Sequence, residues 1–299
     1  MKNKSVLSVI GICVLVGTLW SQEPEKKVKP LKISDVFISN SFIGFKSEIS
    51  TLDHFKSLAP ESVFLQNDFS EFTNHKYSYG NINSMFAVNL GIQFANKEGT
   101  KFRNNPLLRI GIGYSQNSIL SSSYSNETRT PYDTLISSQT GNTHYIDSVN
   151  TERYSMSYGT DIIHLDASLI LRTDPEARWS MYGGIGFNFG ISIDSYTSIS
   201  KFNDEKTEIR NASQQFNGSF GIDNYNYESE HYKNETTYSL AAYIPLGIDF
   251  RIGKNRPFWQ RTHLFYEFRP YMTNFFIPEL STISKVGFQN SFGLRVNLN

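Results

Sequence analysis

Residues 238–252 read Tyr-Ser-Leu-Ala-Ala-Tyr-Ile-Pro-Leu-Gly-Ile-Asp-Phe-Arg-Ile, and every even position from Tyr238 to Ile252 is apolar or aromatic. Between them stand Ser239, Ala241, Tyr243, Pro245, Gly247, Asp249 and Arg251. Successive side chains of a β-strand point to opposite faces, so this run describes a strand with one apolar and one mainly polar face. Helical spacing would scatter the same residues around a cylinder. Pro245 breaks one local rule, because a proline inside a strand removes a ladder N–H, and it predicts a bulge or bend.

The same grammar recurs along the chain. It gives Phe86, Val88, Leu90, Ile92 and Phe94, then Leu108, Ile110, Ile112 and Tyr114, then Ile163, Leu165, Ala167, Leu169 and Leu171. It continues in Met181, Ile185, Phe187, Phe189, Ile191 and Ile193, in Leu264, Tyr266, Phe268 and Met272, and in Phe288, Phe292, Leu294, Val296 and Leu298. Ile33 to Lys46 makes an eighth strand with its facing left open. Enrichment in Val, Ile, Phe and Tyr agrees with strand.

The connections sort by parity. Those near 96–106, 173–178 and 253–262 are short, while those near 47–81, 119–156 and 197–235 are long, with a lesser one at 274–285. Short turns at one end and long loops at the other are the plan of an outer-membrane barrel, and a soluble sandwich has no reason to segregate its loops so. A lipocalin-like soluble barrel is the competing fold. It requires the apolar set inside, and the arginines on the opposite face oppose that.

Composition narrows the classes further. The 299 residues carry 14% aromatic and 19% charged side chains, one cysteine, and 28 basic against 28 acidic residues. No apolar run reaches the ~18 residues of a spanning helix. With no basic excess there is no electrostatic footprint for a polyanion, and no nucleic-acid partner is expected. Lys2 and Lys4 precede an apolar run to Trp20, so residues 1–21 read as a secretory signal peptide. Cys13 belongs to it, and the exported chain then has no cysteine. Residues 22–32 read as a periplasmic lead-in and 33–299 as the barrel.

In the last strand Ser291, Gly293, Val296 and Leu298 follow the order polar-x-Gly-x-x-apolar-x-apolar. On these residues the chain resembles the outer-membrane β-barrel family of Gram-negative bacteria, in particular the small eight-stranded barrels of Bacteroidota, whose late strands resemble 243–251. It departs in ending Leu298-Asn299 instead of on an aromatic. The resemblance implies an all-β, eight-stranded antiparallel up-and-down transmembrane β-barrel with short periplasmic turns and long extracellular loops. It also implies residence in outer-membrane lipid and engagement of the insertion machinery through Ser291, Gly293, Val296 and Leu298, and it implies no activity.

If the apolar sets face lipid, then Arg109, His164, Asp166, Ser168, Arg172, Asp194, Asp249, Arg251, Glu267, Arg269 and Arg295 face inward. An eight-stranded barrel is just wide enough for its own side chains. Arg109, Arg251, Arg269 and Arg295 are therefore expected to pair with Asp166, Asp249 and Glu267, closing the lumen to solutes. His164, Asp166 and Ser168 at alternate positions offer the residue types of a nucleophilic triad, as His263, Glu267 and Arg269 invite suspicion, but a lipid chain cannot enter such a lumen. His54, His75, His144 and His231 lie in separate loops without ligand spacing, and no Gly-rich phosphate loop precedes a helix. No catalytic, cofactor or metal residue is therefore assigned. Ser50-x-x-Asp53 with Leu52, Phe55 and Leu58 predicts a short helix ended by Pro60. The long loops, rich in Tyr, Ser and Asn, suit contact with an extracellular or envelope protein. An accessory of an export machine and a lipid A-modifying enzyme are the alternative roles.

Overall fold

The structure, a computed structural model, describes residues 30–44, 47–75, 82–96, 101–136, 138, 141–174, 177–210 and 224–298. The expected signal peptide lies outside the described residues. The strands are β1 (Leu31–Gly44), β2 (Glu48–Ile49), β3 (Thr73–Asn74), β4 (Ile82–Ala95), β5 (Phe102–Ile136) and β6 (Thr143–Arg172). They continue with β7 (Trp179–Ile209), β8 (Asn224–Lys233), β9 (Tyr238–Tyr243), β10 (Leu246–Arg251), β11 (Thr262–Phe276) and β12 (Ile283–Asn297). Among the described residues two short α-helices, α1 (Leu52–Leu58) and α2 (Pro257–Arg261), and a 3-10 turn at Phe64–Gln66 stand between them.

Eight antiparallel staves close a ring. β1 pairs with β4 and β12, β4 with β5, β5 with β6, and β6 with β7. β9 and β10 together form one stave between β7 and β11, and β11 returns to β12. Pro245 separates the two halves of that stave. Tyr243 faces Tyr271 and Leu246 faces Phe268, three residues apart on both strands, so no residue is inserted: of the expected bulge or bend the bulge is absent, and the strand is interrupted at Ile244 and Pro245. Pro270 stands on the adjoining strand and accepts from the Ile244 N–H through its carbonyl (3.1 Å). The two prolines thus gather their missing donors at one spot of the ladder, and the register survives.

The outer surface of the ring is apolar. Leu165, Met181, Ile185, Phe187, Ile244, Leu246, Leu264, Phe288 and Phe292 are each between 47 and 64% exposed, and they form a continuous band too large for the surface of a water-soluble monomer. β4 and β12, with 14 and 15 residues, exceed the ~9–11 that a tilted strand needs to span. The strand ends that flank the short connections, Ala95 and Phe102, Arg172 and Trp179, and Arg251 and Thr262, share one end of the ring, and those that flank the long connections share the other.

Two of those long connections are ordered differently from the loops expected. β5 and β6 run on as one hairpin to Ile136 and Thr143, and β7 and β8 as a second. Beyond the ring, β5, β6, β7 and β8 form an open sheet, with β2 and β3 paired to β5 at its base. Alternation fades in this part because water lies on its outer face and the selection for apolar side chains ends there. The first connection holds α1, as expected. Its cap is Thr51, whose hydroxyl accepts from the His54 N–H (3.4 Å), and not Ser50, whose Oγ lies 2.9 Å from His54 Nδ1.

Candidate functional site

Nine of the eleven residues expected inside are buried there. Glu267 is fully buried between two arginines: its carboxylate accepts from Arg109 Nη1 and Nη2 at 2.8 and 3.1 Å and from Arg269 Nε. Arg109 Nε donates on to Ser168 Oγ at 3.0 Å. A second cluster joins Arg295 to Asp249 (2.8 Å) and to Asp35 (3.2 Å), with His263 Nδ1 2.5 Å from Asp249 Oδ1. Charges so placed are desolvated and hold only because each has partners.

The expected inward set and its pairing need three corrections. Asp166 takes no arginine; it accepts from the Tyr243 hydroxyl at 2.6 Å. Arg251 is half-buried at the turn end, and among the described residues its Nε has no hydrogen-bond partner. Asp194 is exposed, because Ser192 pairs with Ile162 and Asp194 with the preceding Asp161, which leaves Ile193 unopposed and reverses the facing beyond it. Asp35 was not foreseen for the same kind of reason: β1 slips register between Ile33 and Asp35.

The triad candidates do not assemble. His164 Nε2 contacts Ser115 Oγ and its Nδ1 contacts Asn188 Oδ1, both at 2.7 Å, while Asp166 and Ser168 are engaged by Tyr243 and Arg109. A nucleophile and its base must be within ~3.2 Å of each other; here the histidine is spent on a serine of β5 and an asparagine of β7. His263 likewise belongs to the Arg295 cluster and not with Glu267 and Arg269. Glycines clear the space for the tyrosines that take these roles: a Cβ on Gly186 would lie 2.2 Å from the Tyr243 ring. Beside these groups lies a cavity of about 50 Å³ lined by Ser115, His164, Asn188, Ser239 and Gln289, among others, room for a few waters.

Above the cavity the mouth is stoppered by the first long connection. Phe55, Leu58 and Leu65 from it are buried with Ile119, Leu120, Tyr154, Met156, Tyr158 and Ile199 from the staves. Polar ties surround this core. Asn234 Nδ2 donates to the Leu58 carbonyl (2.7 Å), Ser62 Oγ to Glu230 (2.5 Å), and Lys285 pairs with Glu48 (3.0 Å). Asn67 donates to the Tyr154 hydroxyl (2.7 Å), which donates to Glu152 (2.8 Å), and Glu152 is paired with Lys201 (2.7 Å). Sequence reading found the helix of this stopper but not its destination, since only contacts distant in sequence define it.

Burial opposes ionisation of Glu152, but the hydrogen bonds from Lys201 and Tyr154 outweigh it and hold the carboxyl below its ordinary value. A depressed folded value contributes stability above the unfolded value, and that contribution is lost as pH falls through the folded one. The protection factor of the amides at 62–72, taken against the intrinsic exchange rate at each pH, is accordingly expected to fall below about pH 4, and protection that stays flat from pH 6 to 3 would remove Glu152 from the stopper's support.

The remaining surface with recognition chemistry is the open sheet. Among the described residues β8 pairs only with β7, so its second edge offers a row of unpaired N–H and C=O groups. Tyr225 and Tyr227, 61 and 50% exposed, pack on Phe202 of β7 beside that edge. At the tip, Tyr132, Ile136 and Tyr145 are 68, 70 and 55% exposed.

No family model matches the sequence, and no curated protein matches it. Among solved structures, Neisserial surface protein A aligns over 90% of this chain and 100% of its own, at 11% identity and a TM-score of 0.31. Ail, the attachment invasion locus protein of Yersinia pestis, aligns over 88% of this chain and 99% of its own, at 14% identity and a TM-score of 0.21. Likenesses this faint leave the geometry to stand on its own.

Proposed function

We propose that the protein is an integral outer-membrane barrel of a Gram-negative bacterium, without enzymatic activity, that contacts an extracellular or envelope protein through the sheet beyond its ring. Residues 1–21 direct export, the last strand with Ser291, Gly293, Val296 and Leu298 engages the insertion machinery, and the turns lie in the periplasm. The observation that carries this reading is the pairing of an apolar band around a closed ring with an open sheet standing clear of it. Bilayers demand the first, since no unpaired edge is tolerated in hydrocarbon. The second places a free strand edge and exposed tyrosines where a partner can add a strand or stack side chains. The buried histidines and carboxylates support the non-enzymatic part, because each is engaged with neighbours inside a filled interior.

Two measurements test it. The mature chain lacks cysteine, so Ser138→Cys or Asn226→Cys should react with a membrane-impermeant maleimide on intact cells and Asp174→Cys should not; the reverse pattern would invert the orientation. Replacing 130–148 by an Asn-Gly turn between Arg129 and Val149, which face each other, should keep heat-dependent gel mobility and abolish recovery of a crosslinked partner. A His164→Ala/Ser168→Ala barrel should retain that partner. If the shortened barrel keeps the partner and the double variant loses the cellular phenotype while folded, the reading is wrong.

A further inference from the structure

The zero net charge of the chain conceals a separation along the barrel axis. Among the described residues of 47–75, 119–156, 194–210, 224–236 and 276–285, at the sheet end, there are 17 acidic and 8 basic side chains. The turn end is the opposite. Lys101, Arg103, Arg178, Lys254, Arg256 and Arg261 are all exposed there, and none forms an ion pair with a carboxylate among the described residues. Asp174 is the exposed acid that the described turns contribute.

Large aromatic side chains stand among these bases. Trp179 and Phe258 are each 61% exposed and Trp259 is 42% exposed. Trp179 packs on Phe250 at 4.4 Å, and the Arg178 guanidinium lies over the same Phe250 ring at 5.1 Å. α2 carries Phe258, Trp259 and Arg261 within five residues and buries none of them. Exposed bases alone would suit a turn in water. Exposed tryptophan and phenylalanine, continuous with the apolar band, do not; rings of this kind sit at the level of lipid headgroups. Bases at that level meet phosphate.

We propose that this collar is a docking surface for the anionic phosphodiester headgroups of the leaflet at the turn end, so that the barrel prefers phosphatidylglycerol to a zwitterionic lipid as its neighbour there. The proposal rests on the membrane reading above and adds to it a lipid class and the residues that select it.

Both tryptophans of the mature chain, Trp179 and Trp259, lie in the collar, so their fluorescence reports on it directly. A Trp179→Phe barrel leaves Trp259 alone as the probe. It is folded into vesicles of phosphatidylcholine mixed with phosphatidylglycerol, one or the other brominated, and folding is checked by gel mobility. Trp259 should be quenched as if brominated phosphatidylglycerol were preferred by roughly fivefold at low salt, with the preference shrinking as salt rises. Lys254→Gln/Arg256→Gln/Arg261→Gln in that background should bring the preference to unity while the barrel still folds. Equal quenching by the two lipids overturns the collar, and so does a preference that survives the triple replacement. A chain that enters neither vesicle fails the membrane reading itself, and the collar with it; insertion without preference fails the collar alone. Should the triple variant not fold, salt dependence in the Trp179→Phe barrel decides.

Discussion

Glu267→Gln is expected to lower the folding free energy of the barrel in detergent or lipid by about 3–5 kcal/mol, or to abolish folding. Glu267 is 0% exposed and is the shared partner of Arg109 and Arg269. The amide keeps the volume, but it leaves two guanidinium groups facing each other without the carboxylate that bridges them, in an interior that water barely enters. The cost comes from stranding charge, not from losing a contact. Removing a guanidinium as well, in Arg109→Met/Glu267→Gln, should therefore recover part of the loss even though a further side chain has been changed. Denaturant unfolding followed by tryptophan emission measures both. An unchanged midpoint for Glu267→Gln would mean that the cluster is solvated, and that the interior is open to water along its length.

Leu246→Arg or Ile248→Arg should cost about 2–4 kcal/mol of folding in lipid, because each places a charge near the middle of the apolar band. The two side chains are 47 and 42% exposed, so in water the same changes would relieve an apolar surface and cost nothing. Val63→Arg serves as the control. It is 66% exposed on the stopper, where the surroundings are aqueous, and should change stability by no more than about 0.5 kcal/mol. Equal, small effects at all three positions would point to a soluble barrel.

The strands and their facing were legible in the sequence because lipid outside and packed side chains inside impose a period of two, and Tyr238 to Ile252 shows it without a break. What period two cannot show is a slip. Two of the register shifts, near Ser34 and at Ile193, each cost the reading one carboxylate: Asp35 was missed and Asp194 was turned the wrong way. Above the band the signal fails for a different reason. β5 beyond Leu120 reads Ser-Ser-Ser-Tyr-Ser-Asn-Glu-Thr-Arg-Thr, the composition of a loop, yet it is strand, held by cross-strand hydrogen bonds that any side chain permits. The charged interior was legible as a set of residues and not as a set of pairs. Pairing depends on which staves stand across the lumen from one another, and only closure of the ring decides that.

That closure joins the two ends of the chain. β1 and β12 lie edge to edge, with Ser41 and Ser291 sharing a hydrogen bond of 2.7 Å across 250 residues of sequence. A contact so distant requires an entropic search of roughly 5 kcal/mol before the first bond of that ladder forms, while the neighbouring hairpins form locally. Closure of the ring therefore waits on β12, whose pairing with β1 is the most distant in sequence of the ladder. Until then the sheet carries two raw edges, one on β1 and one on β12, and its lifetime in water is limited by how soon they meet each other instead of another molecule.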